Sequence, residues 1–102
     1  MSNLAGHDIN YISLSGALNA IGRGDSNPIA PLNLIGDYGG GGMHLALGIV
    51  SGLIHSLKTG EGQVVDSAMI DGSLSLMSFF YSLKEMGHWA VSYTHLTLPT
   101  KA

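Results

Sequence analysis

Cysteine is absent from the 102 residues, which excludes disulfides, thiolate metal sites and a cysteine nucleophile. Positive charge is scarce: Arg23, Lys58, Lys84 and Lys101 are the basic residues, the formal net charge is −3, and the balance argues against a nucleic-acid partner. Charge of either sign is thin at 11%, against 45% hydrophobic residues. That composition is too apolar for disorder and low in charge for a small domain that covers its own surface. It suits part of a larger protein, or a subunit that buries much of itself against a partner. The opening MSNLAGHDINY lacks the basic-then-apolar pattern of a signal peptide. The most apolar run, Met43 to Leu57, is interrupted by His44, Ser51 and His55 and stops short of the roughly 18 residues that a membrane span needs. The expectation is a soluble, cytoplasmic protein without a membrane span.

What the chain has in quantity is glycine, and the densest stretch is LNLIGDYGGGG, Leu32 to Gly42. One acid, Asp37, stands between an apolar approach and four glycines. Asp8 reads as the N-cap of a helix over about Ile9 to Ile21, closed by Gly22. RGDSN (Arg23 to Asn27) reads as a solvated turn, and Pro28 and Pro31 stiffen the approach to Asn33 and Asp37. A long helix is expected over about Gly41 to Lys58, stopped by Gly60, apolar almost all round as a buried helix is. Gly48 and Gly52, four apart, allow another element to pack closely on it. Gln63 to Ala68 reads as a short strand with Val64 and Val65. Asp71 is expected to cap a last helix over about Gly72 to Met86. One strand makes no sheet, so the order of elements reads as a piece of an α/β protein.

The titratable residues give few constellations. His44 and His55 share a helix face but lie roughly 16 Å apart along it, too far to bind one ion, and no HExxH pattern is present. No metal site is expected. The glycine run has neither a GxGxxG nor a GK[ST] pattern, so it is not a phosphate loop. Asp66 and Asp71 flank the strand-to-helix turn without an evident catalytic companion. His7 and Asp37 are the pair of interest, because each stands where a helix begins, and imidazole and carboxylate are common acid/base partners near neutral pH. On the residues alone Asp37 is either a helix cap or a working group, and the plainer reading of His7 is a lone histidine.

Three blocks, AGHDINYISLSGAL, NPIAPLNLIGDYGGGGMHLALGI and TGEGQVVDSAMIDGS, strongly resemble the α-methylacyl-CoA racemases of the family III CoA-transferase superfamily. The resemblance covers about Ala5 to Trp89. It implies an α/β fold, with these helices and the short strand belonging to a Rossmann-like large domain that is incomplete here. It also implies catalytic roles for His7 and Asp37, thirty residues apart. Contacts to acyl-CoA fall on Gly6, Asp8, Ile9, Asn10 and Tyr11, and Asn33 falls near the thioester. The implied reaction removes the α-proton of a 2-methylacyl-CoA and returns a proton to the opposite face. Asp37 and His7 would exchange the roles of base and acid for the two enantiomers. The glycine backbone or the Asn33 amide would steady the enolate oxygen. Coenzyme A is then part of the substrate, and no further cofactor is needed.

The alternative within the superfamily is CoA transfer between carboxylic acids, with Asp37 as nucleophile. The histidine of GHDINY belongs to the racemase pattern, and His7 therefore favours racemisation. Proteins of this family are several times longer and form interlocked homodimers, so the 102-residue chain by itself is expected to be aggregation-prone and inactive. Residues 1–90 read as the partial domain. Residues 91–102, with VSYTHLTLPT, resemble a translated sequencing adapter, and no function is taken from Tyr93, His95 or Lys101.

Overall fold

Residues 3–89 are described in the computed structural model. The adapter-like stretch 91–102 lies outside them. The described chain is helical: α1 (Asp8–Ser15), α2 (Ala17–Ala20), a π-helix (Leu34–Met43) that runs straight into α3 (His44–Thr59), then α4 (Met69–Leu76) and α5 (Ser78–Glu85). No strand occurs among the described residues, which corrects the α/β reading of this piece. Residues 61–68 follow no regular pattern because a strand needs a neighbour for its ladder, and none is present here. Val65 packs instead on α3, and it does so at the two small residues singled out above. A Cβ on Gly48 would sit 2.9 Å from Val65 Cγ1, and one on Gly52 3.3 Å from Val65 Cγ2.

The first helix is broken where continuity was expected. Gly16 takes a left-handed φ of 86°, and Ser15 Oγ accepts the Ala17 N–H at 3.3 Å, so α1 ends at Ser15 rather than near Ile21. The break serves packing: the Tyr81 hydroxyl donates to the Ser15 carbonyl in the space a side chain at position 16 would occupy. The last helix is likewise divided, at Met77, and starts earlier than expected, with Ala68 rather than Asp71 as its N-cap. Asp71 lies inside the first turn of α4, where its charge still suits the helix dipole. Gly60 does close α3, with φ 77° and its N–H bonded to the Ser56 carbonyl at 2.8 Å.

A small core forms where α1, α2, α4 and α5 meet. Ile12, Ala17, Met77, Leu83 and Trp89 are buried, with Leu18, Ala20, Ile35, Phe80 and Tyr81 around them. The Phe80 and Trp89 rings lie 5.6 Å apart and tilted, within the usual range for an aromatic pair. No residue of α3 is buried, contrary to the buried helix its apolar circumference suggested. The helical rod is also longer than expected. With the π-helix it spans 26 residues, Leu34 to Thr59, and by length and composition it is apolar enough to cross a membrane, which corrects the estimate made from Met43 to Leu57. The core helix of a soluble protein meets the same criterion. The N-terminal part of the rod is packed against α1 and α4.

Candidate functional site

The site grows from two helix starts. His7 is the N-cap of α1, in extended conformation (φ −128°, ψ 175°), and is exposed. Asp8 is therefore not the cap but the first helical residue. The turn is fixed by Asn10, whose Oδ1 accepts the His7 backbone N–H at 3.0 Å, while the His7 carbonyl accepts the Asn10 N–H at 3.0 Å. This reciprocal pairing holds the His7 backbone and leaves Asp8 free to point elsewhere.

Asp37 lies inside a helix rather than ahead of one. Leu32, in a left-handed conformation at φ 57°, turns the chain, and Asn33 precedes the π-helix. That dihedral is sparsely populated for a side-chain-bearing residue and costs on the order of 1–3 kcal/mol. The first five-residue bond of the π-helix is Tyr38 N–H to the Asn33 carbonyl, at 3.3 Å. The Asp37 N–H comes one residue too early for that ladder and is one of the orphan donors of a helix start. Asp8 supplies the acceptor: its Oδ2 takes the Asp37 N–H at 2.7 Å, across 29 residues of sequence. Asp8 is only 8% exposed, so this is a buried carboxylate at the positive end of another helix. The Asp37 carboxylate is half-buried and is itself held, its Oδ2 accepting the Asn33 side-chain amide at 3.2 Å.

His7 and Asp37 thus spring from backbone units joined through one residue and one hydrogen bond. The structure divides the remaining expected contacts. Gly6, Asn10 and Tyr11 line a cleft of about 480 Å³ with Leu4, Ala5, Ser13 and Leu14. Tyr11 reaches back over Gly6, and its ring occupies the space of a Cβ there. Asp8 faces away from the cleft toward the π-helix, Ile9 is exposed outside it, and Asn33 is on Asp37.

Two of the glycines serve packing. A Cβ on Gly36 would meet Asp8 Oδ2 at 2.5 Å and Ile12 Cγ2 at 3.1 Å, so the clasp exists only because residue 36 has no side chain. Gly40 lies against the Ser73 backbone nitrogen, 2.7 Å from its own ideal Cβ, and the Gly40 carbonyl fills the space of a Cβ on Gly72. Gly36 and Gly40 are contact points for α1 and α4, and N–H groups within the π-helix serve its own ladder. Sequence reasoning missed both Gly36 as the seat of Asp8 and the Gly40–Gly72 crossing. The available signal was an isolated glycine directly before Asp37, one helical turn from the next.

The profile of CoA-transferase family III matches residues 1–94. Alpha-methylacyl-CoA racemase of Mus musculus is 51% identical over 88 residues, which cover 86% of this chain and 23% of the mouse protein. The Homo sapiens alpha-methylacyl-CoA racemase is 50% identical over 86 residues, covering 84% of this chain and 22% of that protein. A formyl-CoA:oxalate CoA-transferase of Rhodopseudomonas palustris is 48% identical over 61 residues, covering 60% of this chain and 14% of the transferase. The chain spans about a quarter of the length of the racemases it matches. It belongs to CoA-transferase family III.

Proposed function

We propose that this member of CoA-transferase family III carries the acid/base pair of an enzyme that racemises 2-methylacyl-CoA thioesters. The observation that carries the proposal is the Asp8–Asp37 hydrogen bond, which ties the helix start bearing His7 to the turn bearing Asp37. Half identity to two racemases over most of the chain supports the same reading.

In the proposed reaction one of the two side chains takes the α-proton and leaves a thioester enolate. The other, protonated beforehand, returns a proton to the opposite face, and their roles are reversed for the other enantiomer. In the first turn of α1 the backbone N–H groups of Asp8 and Ile9 have no partner among the described residues, and these are donors on offer for the enolate oxygen. They join the glycine backbone and the Asn33 amide as candidates for that role. The cleft beside Gly6, Asn10 and Tyr11 is the place proposed for part of the acyl-CoA, and the thioester-linked CoA is substrate rather than cofactor. We further propose a homodimer for the whole protein, since the uncovered apolar faces of α3 need a partner surface within the chain or beyond it.

CoA transfer with Asp37 as nucleophile is the second reading, favoured by the likeness to the formyl-CoA:oxalate CoA-transferases. A chimera in which the 88 aligned residues of this chain replace the matching segment of the mouse racemase separates the two. Incubation with 2-methylacyl-CoA in D₂O is expected to place deuterium at the α-carbon. Movement of CoA to a free carboxylate without α-deuterium would reverse the assignment. The 102-residue chain alone is expected to show neither reaction and to aggregate, because Leu47, Leu53, Leu57 and other large apolar side chains are exposed on it.

A further inference from the structure

We infer that Asp8 is a positioning residue, which sets the aim of Asp37 relative to His7 through its bond to the Asp37 backbone rather than by touching substrate. The inference rests on the racemase reading given above. It departs from the substrate contact that resemblance implied for Asp8.

Four observations converge. Asp8 as a residue is more than nine-tenths buried. Its recorded acceptor contact is the Asp37 N–H, at 2.7 Å. The neighbouring position that would obstruct the contact is Gly36, where any Cβ would come within 2.5 Å of Asp8 Oδ2. Asp8 also follows directly on His7, whose backbone is held by Asn10. A carboxylate accepting a hydrogen bond from an orphan N–H at a helix start is both hydrogen-bonded and favourably placed in the helix field. It also fixes one point of α1 to the peptide unit that carries the Asp37 side chain. Racemisation needs its two acid/base groups aimed at opposite faces of one carbon, and misplacement by about 1 Å can cost about 10²-fold in rate. The clasp is the structural element that sets this spacing, and the Asn33 amide then orients the Asp37 carboxylate upon it.

The test uses the chimera with the mouse racemase. Asp8→Ala is expected to lower kcat for racemisation about 100-fold with KM within about threefold. Asp8→Asn keeps an amide oxygen as acceptor and is expected to recover to within about tenfold of the parent. A loss of fold would lower every rate together, so the deciding quantity is a ratio. With Asp37 out of line, His7 still exchanges the α-proton on its own face. Asp8→Ala should therefore raise deuterium entry with retention relative to entry with inversion. If Asp8→Ala does not fold, the same ratio in Asp8→Asn, with protection of the Asp37 amide against hydrogen exchange, decides. A rise in KM with kcat intact, or an unchanged ratio alongside a fallen rate, overturns the positioning role and leaves racemisation standing. A parent chimera that exchanges no α-proton defeats the racemase reading itself.

Discussion

The corner where α1 meets the π-helix and the rod of α3 are written in the same residues, glycine and aliphatic side chains with a histidine or two, yet they fold into opposite situations. In the corner, Gly36 and Gly40 are buried and each faces an element of this chain, Asp8 of α1 and Ser73 of α4. Along α3, Gly48 and Gly52 meet only the side chains of the passing 63–65 segment, and no residue is buried. A glycine pattern announces close approach in both places. Only in the corner does the described chain supply the approaching backbone or carboxylate. A corner packed by its own chain thus adjoins a helix whose apolar surface remains uncovered by the described residues.

The largest effect that separates the two regions is catalytic. In the mouse chimera, Asp37→Asn keeps size and the backbone clasp but removes the base, and kcat for racemisation should fall about 10³-fold, within the range for losing a general acid or base. His7→Ala should fall similarly. Substitution of His44 or His55 on the rod should leave kcat within about twofold. Loss of activity on changing His55, exposed near the far end of α3, would move the chemistry away from the corner.

Next in size is the contrast between two glycines. Gly72→Ala places a methyl where the Gly40 carbonyl lies, a clash with backbone that cannot swing aside. It should cost about 3 kcal/mol by thermal or denaturant unfolding of the chimera. Gly48→Ala meets only Val65 Cγ1 at 2.9 Å, a side chain that can shift, and should cost about 1 kcal/mol. Equal costs would show that the rod is packed as rigidly as the corner.

Leu57 is 78% exposed on α3. If the rod is covered in the whole protein, Leu57→Gln should make the isolated 102-residue chain more soluble, yet destabilise the chimera by about 2 kcal/mol, the worth of one buried leucine. Improved solubility with an unchanged chimera would mean that this face meets water in the assembled protein.

Much of the corner was legible beforehand, and the reasons for the rest are local. His7 and Asp37 stood out because each was read as standing ahead of a helix; His7 does, while Asp37 lies within the first turn of the π-helix, and the structure joins the two segments. Asp8 was read as a cap because Asp before an apolar run usually is one. Nothing in the neighbouring residues shows that its oxygen reaches 29 positions onward to a different helix. The continuous helix through LIGDYGGGG was hidden because its five glycines lower intrinsic helix propensity, and tertiary contacts at Gly36 and Gly40 outweigh that penalty. The strand at 63–68 was a sound local reading of Val64 and Val65 that fails for want of a partner strand. Gly16 was passed over because one glycine inside a helical period is usually tolerated, and only Tyr81, far along the chain, requires the break.

The smallest effect tests the finest feature of the corner. Asn33 donates its side-chain amide to Asp37 Oδ2 at 3.2 Å in an exposed setting, where one such bond contributes about 1 kcal/mol. If the amide orients the carboxylate, Asn33→Ala should lower kcat about fivefold and leave the thermal midpoint of the chimera nearly unchanged. If Asn33 instead holds the thioester, as the family resemblance implied, the loss should fall mainly on KM. Asn33→Asp sharpens the choice: it replaces a donor with a second carboxylate beside Asp37, and like charges at that separation repel. Its kcat should fall further than that of Asn33→Ala. An Asn33→Asp variant that turns over as well as Asn33→Ala would show that the side chain at position 33 does not orient the Asp37 carboxylate, leaving the Asp8 clasp on the Asp37 backbone to hold that residue in the site.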